Sequence, residues 1–400
     1  MRVIIHKLAN LNYFWALAER GLNPLFVLIA TILAARVYGS AAVGSLAIVY
    51  LAIAAGQLLI SRGTDQNLIA YIANSDTQGA SYTEYRKRMR RLRNVALVAP
   101  LFLVIGIDDP IKINIAVGVA AGLMVGVNYP IELELLIRRQ FKKIALVKAS
   151  SYLASIALCF YLQGIVSDSY KYIGFIVLFE KIISTFLYIK FQDRPEKILN
   201  NNGLANSNIY AIFSILGVFL FNRFDQLYVF KVISPYDLGV YFSTLKFFDI
   251  VNLVISSIMN AHLKDLALIN SSKDKVLIRK IIIIALVLVL IITISLPLLL
   301  QIVYKIDITD KAEYIYPLAI ANMFSIVGLL KGPWVAKNGY YRYDTYCFVG
   351  GAIAAILYYI IIQPETLFLV AVLVMITQFI ANILIPIFSS KQRDFLRKII

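Results

Sequence analysis

About twelve stretches of this chain are apolar and long enough to cross a lipid bilayer. Because hydrocarbon cannot hydrogen-bond a backbone, a crossing segment must be helical, and ~20 mostly apolar residues are needed to cross ~30 Å. We predict spans 1 to 12 at residues 12–36, 41–63, 93–107, 112–137, 144–166, 170–190, 208–230, 238–262, 279–304, 314–336, 343–362 and 366–389. The sequence therefore predicts an all-α, polytopic membrane protein.

Composition agrees with this assignment. Hydrophobic residues make up 60% of the chain and its mean hydropathy is +0.77, whereas an ordinary globular chain has about 45–50% apolar residues. The longest connections between predicted spans, at about 74–92, 191–207 and 263–278, are too short to form domains. We therefore expect the function to lie within the membrane.

The basic residues alternate between the two sides of the predicted membrane. Of 39 Lys and Arg residues, seven lie at membrane depth or its edge, and 26 of the other 32 lie in every second connection, at the span ends beside it, or at the termini. Short loops rich in Lys and Arg stay in the cytoplasm. The alternation predicts an even number of spans with both termini cytoplasmic.

The positions of the charged residues, cysteines and histidines argue against a nucleic-acid-binding or metal-binding protein. The net charge of +16 lies mainly at the ends of spans, where it meets anionic lipid and fixes orientation, which argues against nucleic-acid binding. The two cysteines and the two histidines do not occur at the spacings typical of metal ligands, so we predict no metal site and no cofactor. They are Cys159, Cys347, His6 and His262. We also expect the first span to be retained rather than cleaved as a signal peptide.

The chain contains a weak internal repeat. An offset of 195 residues aligns seven identical pairs, namely Leu25 with Leu220, Phe26 with Phe221, Val37 with Val232, Gly44 with Gly239, Ile60 with Ile255, Ser61 with Ser256 and Leu68 with Leu263. Each half then has six spans, and an even number gives both halves the same orientation, as in transporters built from parallel repeats. We predict two parallel six-helix lobes, residues 1–200 and 201–400, with a site between them.

Two stretches carry a resemblance to a known family. The segment from Asp225 to Tyr241, with its Ser-Pro-Tyr-Asp-Leu-Gly turn, resembles the signature between the seventh and eighth helices of the polysaccharide transporter family. The earlier turn from Arg36 to Gly44, which is followed by Gln57-Leu-Leu-Ile-Ser-Arg62-Gly-Thr, also resembles this family's signature. These proteins are the O-antigen and repeat-unit flippases of the multidrug/oligosaccharidyl-lipid/polysaccharide exporter superfamily, whose fold is MATE-like.

The resemblance implies a function and a location. It implies a V-shaped bundle that moves an undecaprenyl-diphosphate-linked oligosaccharide, the precursor of lipopolysaccharide O-antigen, from the cytoplasmic to the periplasmic leaflet by alternating access. It also implies a transporter rather than an enzyme, in the bacterial inner membrane. The acids inside the spans make H⁺ and Na⁺ the candidate coupling ions. The partners implied are membrane lipids and the polymerase and chain-length proteins of the same pathway.

Charged residues inside the spans are the candidate site residues, because a charge facing lipid costs ~2.5–3.5 kcal/mol at a helix centre. In the family, spans 1, 2, 7 and 8 face the central cavity, and a guanidinium can hold phosphate oxygens bidentately. The predicted substrate-binding residues are Arg20, Arg62, Arg223, Lys246 and Lys331, and the predicted ion-coupling residues are Asp225, Asp249 and Glu19.

A structural alternative exists for several of these residues. Arg62 and Lys246 each have an acid three residues later on the same helix face, Asp65 and Asp249, so each could form a local pair. Arg62 and Lys331 lie near predicted cytoplasmic ends, where long basic side chains extend to the interface. Asp225 is the favoured coupling acid, with a salt-bridge role as its alternative.

Two other functions fit an intramembrane chain. A multidrug or cation antiporter of the same fold would favour an acidic, aromatic-lined cavity, whereas the candidate cavity residues here are mainly basic. An integral membrane glycan polymerase would present a large external loop with catalytic residues, whereas the predicted external connections here have about ten residues or fewer. The sequence favours the flippase.

Overall fold

The computed structural model describes residues 2–61, 109–137, 140–165, 173–191, 209–261, 272–338, 341–389 and 392–393. These residues are helical apart from short connections. The helices are α1 (Arg2–Tyr38), α2 (Ser40–Ser61), α3 (Pro110–Ile137), α4 (Phe141–Ile165), α5 (Ile173–Phe191), α6 (Ile209–Tyr228), α7 (Pro235–Ala261), α8 (Ser272–Leu299), α9 (Ile315–Asn338), α10 (Tyr341–Ile362), α11 (Leu367–Phe379) and α12 (Ile385–Phe388).

Short irregular helices connect several of these elements. One π-helical turn, Val229–Ile233, follows α6, a second, Leu300–Tyr304, extends α8, and a third, Ile380–Leu384, joins α11 to α12. A 3₁₀ turn, Thr309–Tyr314, precedes α9. Single π-turns inside helices are rare and are frequent at functional sites, and the first and third of these turns follow helices that line the cavity described below.

The described helices confirm the polytopic all-α prediction. Nine of them are long and apolar enough to cross a membrane by length and composition. Eleven of the twelve predicted spans coincide with a helix or with the helical run from α11 to α12. The remaining one, at 93–107, lies outside the described residues, as do the basic connections at 74–92, 192–207 and 263–271.

The chain divides into two compact units. The first contains residues 1–34 and 45–207, and the second contains residues 35–44 and 208–400. The short segment 35–44, which holds the end of α1 and the start of α2, thus belongs to the second unit although it interrupts the first in sequence. In the first unit α5 packs against both α3 and α4.

Small residues bring α2 and α3 close together in the first unit. A Cβ at Gly122 would overlap the carbonyl oxygen of Ile53, and a Cβ at Gly118 would lie 2.6 Å from the Cβ of Ala52. The small residues spaced four apart in α3 therefore permit a backbone-to-backbone approach that larger side chains would prevent.

The second unit contains two closely packed helix pairs, α6 with α10 and α9 with α11. The helix α8 lies against α7 and α9, but few of its residues are buried. Of its apolar segment Val276–Tyr304, only 22% of the residues are buried within the protein. A helix this apolar and this exposed presents its outer face to lipid.

Candidate functional site

A polar cavity of about 260 Å³ lies inside the second unit, between α6, α7, α9 and α11. Nine of its fifteen lining residues are polar or charged, namely Asn222, Arg223, Asp225, Gln226, Asp249, Asn252, Asn322, Ser325 and Gln378. Polar side chains inside membrane helices carry a large desolvation cost and mark functional positions by default. This cavity is therefore the candidate site of the second unit.

Asp225 is the buried carboxylate of this cavity. Its side chain lies on α6, and the hydroxyl of Tyr241 on α7 donates a 2.5 Å hydrogen bond to its Oδ2. Its second oxygen, Oδ1, is buried without a hydrogen-bond partner among the described residues. The carboxylate is thus held through Oδ2 by Tyr241 on the neighbouring helix, and its residue lines the cavity.

Two further unused oxygens belong to the same cavity lining. In the described part of the chain, Oε1 of Gln226 and Oδ1 of Asn252 are buried without a hydrogen-bond partner. Asn252 is held by its other end, because its Nδ2 donates a 2.9 Å hydrogen bond to Oδ1 of Asn322 on α9. Buried polar atoms are nearly always paired, so three unpaired acceptor oxygens around one cavity require an explanation.

A row of three amides begins at the cavity lining. Gln378 on α11 donates a 3.2 Å hydrogen bond to Oδ1 of Asn222 on α6 and accepts a 2.8 Å hydrogen bond from Asn382 in the third π-turn. Asn382 in turn contacts α9 closely, because a Cβ at Gly328 would overlap its Oδ1. The row links α6, α9 and α11 through neutral polar groups.

Arg223 lies on the cavity wall two residues before Asp225. Its side chain is partly exposed, and it forms no hydrogen bond or salt bridge with any residue that the structure describes. A guanidinium inside a membrane protein normally finds a fixed partner. Arg223 therefore lines the cavity as a cation, and its charge interacts with the carboxylate of Asp225.

The predicted candidates Lys246 and Asp249 form the local pair that the sequence offered as an alternative. On α7, the Nζ atom of Lys246 lies 2.6 Å from the Oδ2 atom of Asp249. The same ammonium lies 4.5 Å from the ring centroid of Phe242. Asp249 lines the cavity with a half-exposed side chain. Lys246 thus has a partner on its own helix, and a role in substrate binding stays a prediction.

The structure places Lys331 deep inside the second unit. Its side chain is 2% exposed, and its Nζ lies 2.8 Å from Oδ1 of Asp344 on α10. The ring of Phe348 lies 5.7 Å from the same nitrogen. Lys331 therefore joins α9 to α10 in this conformation rather than extending to an interface, and its contact with substrate stays a prediction.

Glu19, the third predicted coupling acid, belongs to an ion cluster in the first unit. Lys148 on α4 lies 2.7 Å from Oε1 of Glu19 on α1 and 2.7 Å from Oε1 of Glu132 on α3. Tyr152 on α4 also donates a hydrogen bond to Asn23 on α1. Glu19 is therefore neutralised by a lysine 129 positions away in sequence.

Two predicted candidates lie outside the part of the chain whose side chains the structure describes. Arg62, together with its neighbour Asp65, lies outside the described residues, as does the side chain of Arg20. Both arginines remain predictions from the sequence.

Sequence reasoning missed several polar residues that the structure brings to the cavity. Gln226, Asn252, Asn322 and Gln378 are neutral and were passed over in favour of charged residues. Their signal was nonetheless present, because amides inside long apolar spans are costly unless they serve a binding or packing role. Tyr241 was quoted within the family signature without being recognised as the partner of Asp225.

The sequence matches no known family profile and no curated protein. The fold, in contrast, matches solved transporters. An inward-facing structure of a multidrug resistance MATE family transporter of the MOP superfamily superposes with a TM-score of 0.65 at 12% identity, over 97% of this chain and 96% of that one. The lipid II flippase MurJ in an inward closed conformation gives a TM-score of 0.62 at 13% identity, over 97% and 90%.

A third structure extends the comparison. A MOP superfamily transporter from Pyrococcus furiosus, described as having a binding pocket of reverse polarity, gives a TM-score of 0.58 at 11% identity, over 96% of this chain and 94% of that one. Together these likenesses establish a MATE-like, all-α fold for a multi-pass membrane protein.

Proposed function

We propose that this protein is a flippase that moves a polyprenyl-diphosphate-linked oligosaccharide across a membrane by alternating access. The substrate class is an undecaprenyl-diphosphate-linked O-antigen or repeat unit, carried from the cytoplasmic to the periplasmic leaflet of a bacterial inner membrane. The fold supports this, since it is shared with transporters that include a lipid II flippase. The family signature from Asp225 to Tyr241 supports the substrate class.

The observation that carries the proposal is the guanidinium of Arg223 on the wall of a polar cavity, where it forms no hydrogen bond or salt bridge with the residues that the structure describes. A diphosphate headgroup carries several negative charges that lose hydration in a low-dielectric region, and a guanidinium replaces that hydration with two parallel hydrogen bonds. We propose Arg223, together with Arg20 and Arg62, as the phosphate-binding residues. Lys246 and Lys331 would join them only in a conformation that frees each from its carboxylate.

Ion coupling is assigned to Asp225. Its Oδ1 and the side-chain oxygens of Gln226 and Asn252 belong to residues that line one cavity, and oxygen acceptors of this kind suit Na⁺ or a proton on the carboxylate. Tyr241 holds the other carboxylate oxygen in place. Asp249 and Glu19 are secondary coupling candidates because each is already paired with a lysine.

Replacement of Arg223 tests the flippase directly. In cells that depend on this protein for surface polysaccharide, Arg223→Ala should abolish the polysaccharide and leave the lipid-linked precursor in the cytoplasmic leaflet, whereas Arg223→Lys should retain part of the activity. Arg279→Ala, at the exposed start of α8, is the matched control. Normal polysaccharide at normal protein levels in Arg223→Ala would exclude this residue from the site.

A second experiment separates the two coupling ions. If Na⁺ binds at Asp225, NaCl should raise the melting temperature of the purified protein above that in KCl, and Asp225→Asn should remove the difference. If a proton binds, transport should collapse with a protonophore and Na⁺ should have no effect. Asp225→Asn that retains full coupled transport would rule out both roles.

The second candidate function is a cation antiporter of the same fold. It is favoured by one observation, namely that Asp225 and Asp249 line the same cavity as Arg223. Vesicles that contain the purified protein decide between the two. Transport of a cationic dye without transport of a lipid-linked glycan would replace the flippase with the antiporter.

A further inference from the structure

An acidic cavity of about 410 Å³ lies at the end of the second unit that the charge alternation predicts to be external. Three carboxylates line it, those of Asp237, Glu313 and Glu365. A cleft lined by charges of one sign raises the local concentration of ions of the opposite sign, H⁺ among them. The buried acid Asp225 lies in the same unit on α6, and the π-turn that follows α6 supplies Ile233 to this cavity.

Two tyrosines connect this cavity with Asp225. The ring centroids of Tyr228, the last residue of α6, and Tyr359 on α10 lie 4.2 Å apart. Tyr228 is partly exposed, and its hydroxyl interacts with the charge of Glu365. Tyr359 is buried, and its hydroxyl interacts with the charge of Asp225. The two rings are thus in contact with each other, and each tyrosine interacts with one of the two acids.

The hydroxyl of Tyr359 is buried and has no hydrogen-bond partner among the described residues. Buried polar atoms are nearly always paired, so this hydroxyl beside a buried acid requires an explanation. Ring packing alone does not need it, since the ring of Phe224 packs on Tyr359 with a centroid distance of 5.2 Å. A tyrosine hydroxyl both donates and accepts hydrogen bonds, so it can take up one proton while it releases another.

The other groups that face Asp225 are less suited to deliver a proton. The helices packed against α6 are α7, α10 and α11, and α11 contains no titratable residue. On α7, Tyr241 already donates its only proton to Oδ2, and on α6 itself Arg223 is a cation without an acceptor. Tyr314 interacts with Tyr241, but its hydroxyl is paired with a threonine hydroxyl 2.7 Å away. Tyr359 differs from both of these tyrosines, because its hydroxyl is unpaired among the described residues.

We propose that Tyr228 and Tyr359 form a proton path, which we call the tyrosine path, from the acidic cavity to the carboxylate of Asp225. This path rests on the proposed function, which assigns ion coupling to Asp225, and with it H⁺ is the coupling ion. Glu365 takes up a proton from water and passes it to the nearer hydroxyl. Each hydroxyl oxygen accepts one proton as its own O–H proton moves on, so both tyrosines end neutral. Asp225 ends as a carboxylic acid, and Glu365 ends as a carboxylate.

Infrared spectroscopy of the purified full-length protein tests the tyrosine path without any substrate. After a rapid drop in pH, a carboxylate that takes up a proton gains the carbonyl stretch of a carboxylic acid, and Asp225→Asn should remove this band. Tyr359→Phe keeps the ring and removes the hydroxyl. It should slow the rise of the Asp225 band by about 100-fold, as expected for loss of a positioned proton-transfer group. The final height of the band should be unchanged.

Two pairs of variants provide the controls. Tyr346→Phe, at an exposed position near the other end of α10, should leave the rate unchanged, whereas Tyr228→Phe should slow it. Glu365→Gln should slow the rise more than Glu313→Gln, which removes a carboxylate from the same cavity. The effect of Glu365→Gln should be smaller than that of Tyr359→Phe, because water also reaches the partly exposed Tyr228.

Three results would overturn the tyrosine path. An equal rate in Tyr359→Phe and in the unaltered protein would mean that the proton reaches Asp225 through its polar cavity. A changed final height in Tyr359→Phe would mean that the hydroxyl sets the proton affinity of Asp225 and not the rate of transfer. Absence of any band that Asp225→Asn removes would mean that this acid takes up no proton.

The infrared measurement also separates the path from the transport assignment. A slowed rise in Tyr359→Phe, for a protein that moves no lipid-linked glycan, would retain the tyrosine path and reject the flippase. Loss of surface polysaccharide in Arg223→Ala, together with an unchanged rate in Tyr359→Phe, would retain the flippase and reject the path.

Discussion

Lys148 holds carboxylates from two other helices of its unit, Glu19 and Glu132, each at 2.7 Å. Its side chain is 17% exposed. If Lys148 is replaced by an apolar residue, the two acids lose their shared positive partner at a place that water reaches poorly. We expect Lys148→Met to lower the free energy of unfolding by about 3 kcal/mol, because removing one member of a buried ion pair leaves an uncompensated charge. Denaturant titration in detergent measures the change.

Lys112→Met provides the control for this prediction. Lys112 is exposed at the start of α3 in the same unit, and the same substitution there should change stability by less than ~0.5 kcal/mol. Equal effects of the two substitutions would show that the Lys148 cluster contributes nothing specific.

We expect the hydroxyl of Tyr241 to stabilise the fold through its hydrogen bond to the carboxylate of Asp225. Tyr241→Phe removes the hydroxyl that donates to Oδ2 of Asp225 and leaves that buried oxygen without its donor, which costs about 1–3 kcal/mol. Tyr236→Phe, on the exposed start of α7, is the control and should have no effect on the melting temperature. If both variants melt like the unaltered protein, the hydrogen bond does not stabilise the fold.

The charged residues of the candidate cavity were predictable, and their partners were not. Arg223 and Asp225 stand out because ionised side chains are rare in apolar spans. That Asp225 meets Tyr241, and that Asn252 meets Asn322 seventy positions away, depends on how four helices pack. Sequence periodicity describes which residues share a helix face, and it does not describe which faces meet.

At the level of helices, the crossing of α2 and α3 gives a prediction. Gly122→Ala places a methyl group against the carbonyl oxygen of Ile53 and should lower the free energy of unfolding by about 1–3 kcal/mol, as overpacking does. Gly21→Ala is the matched control, since nothing lies within 4 Å of its Cβ position, and it should leave stability unchanged or raise it by up to ~1 kcal/mol. A destabilised Gly21→Ala with a stable Gly122→Ala would contradict the crossing.

The existence of the helices was predictable, and their ends were not. The first span was predicted to begin at residue 12, whereas α1 begins at Arg2, because a helix continues into water once its polar residues leave the hydrocarbon. The π-turns after α6, α8 and α11 leave no signal in an apolar pattern. The membership of residues 35–44 in the second unit was also invisible in the sequence, since it depends on backbone contacts at glycines.

At the level of the whole molecule, the charge alternation predicts which residues face the cytoplasm. In a protein without its native cysteines, Gln363→Cys in the connection after α10 should react with a membrane-impermeant maleimide in intact cells. Arg393→Cys near the C-terminus should react only after the cells are permeabilised. The reverse pattern would invert the orientation and with it the proposed direction of transport.

The apolar segment Val276–Tyr304 of α8 and its π-turn has a consequence for the surrounding membrane. Its 29 residues span roughly 43 Å if fully helical, at 1.5 Å per residue, against a hydrocarbon layer of about 30 Å. The segment must tilt, bend or locally thicken the bilayer to keep its outward isoleucines and leucines out of water. Acyl-chain length should therefore influence how this protein works, with longer-chain lipids relieving the mismatch.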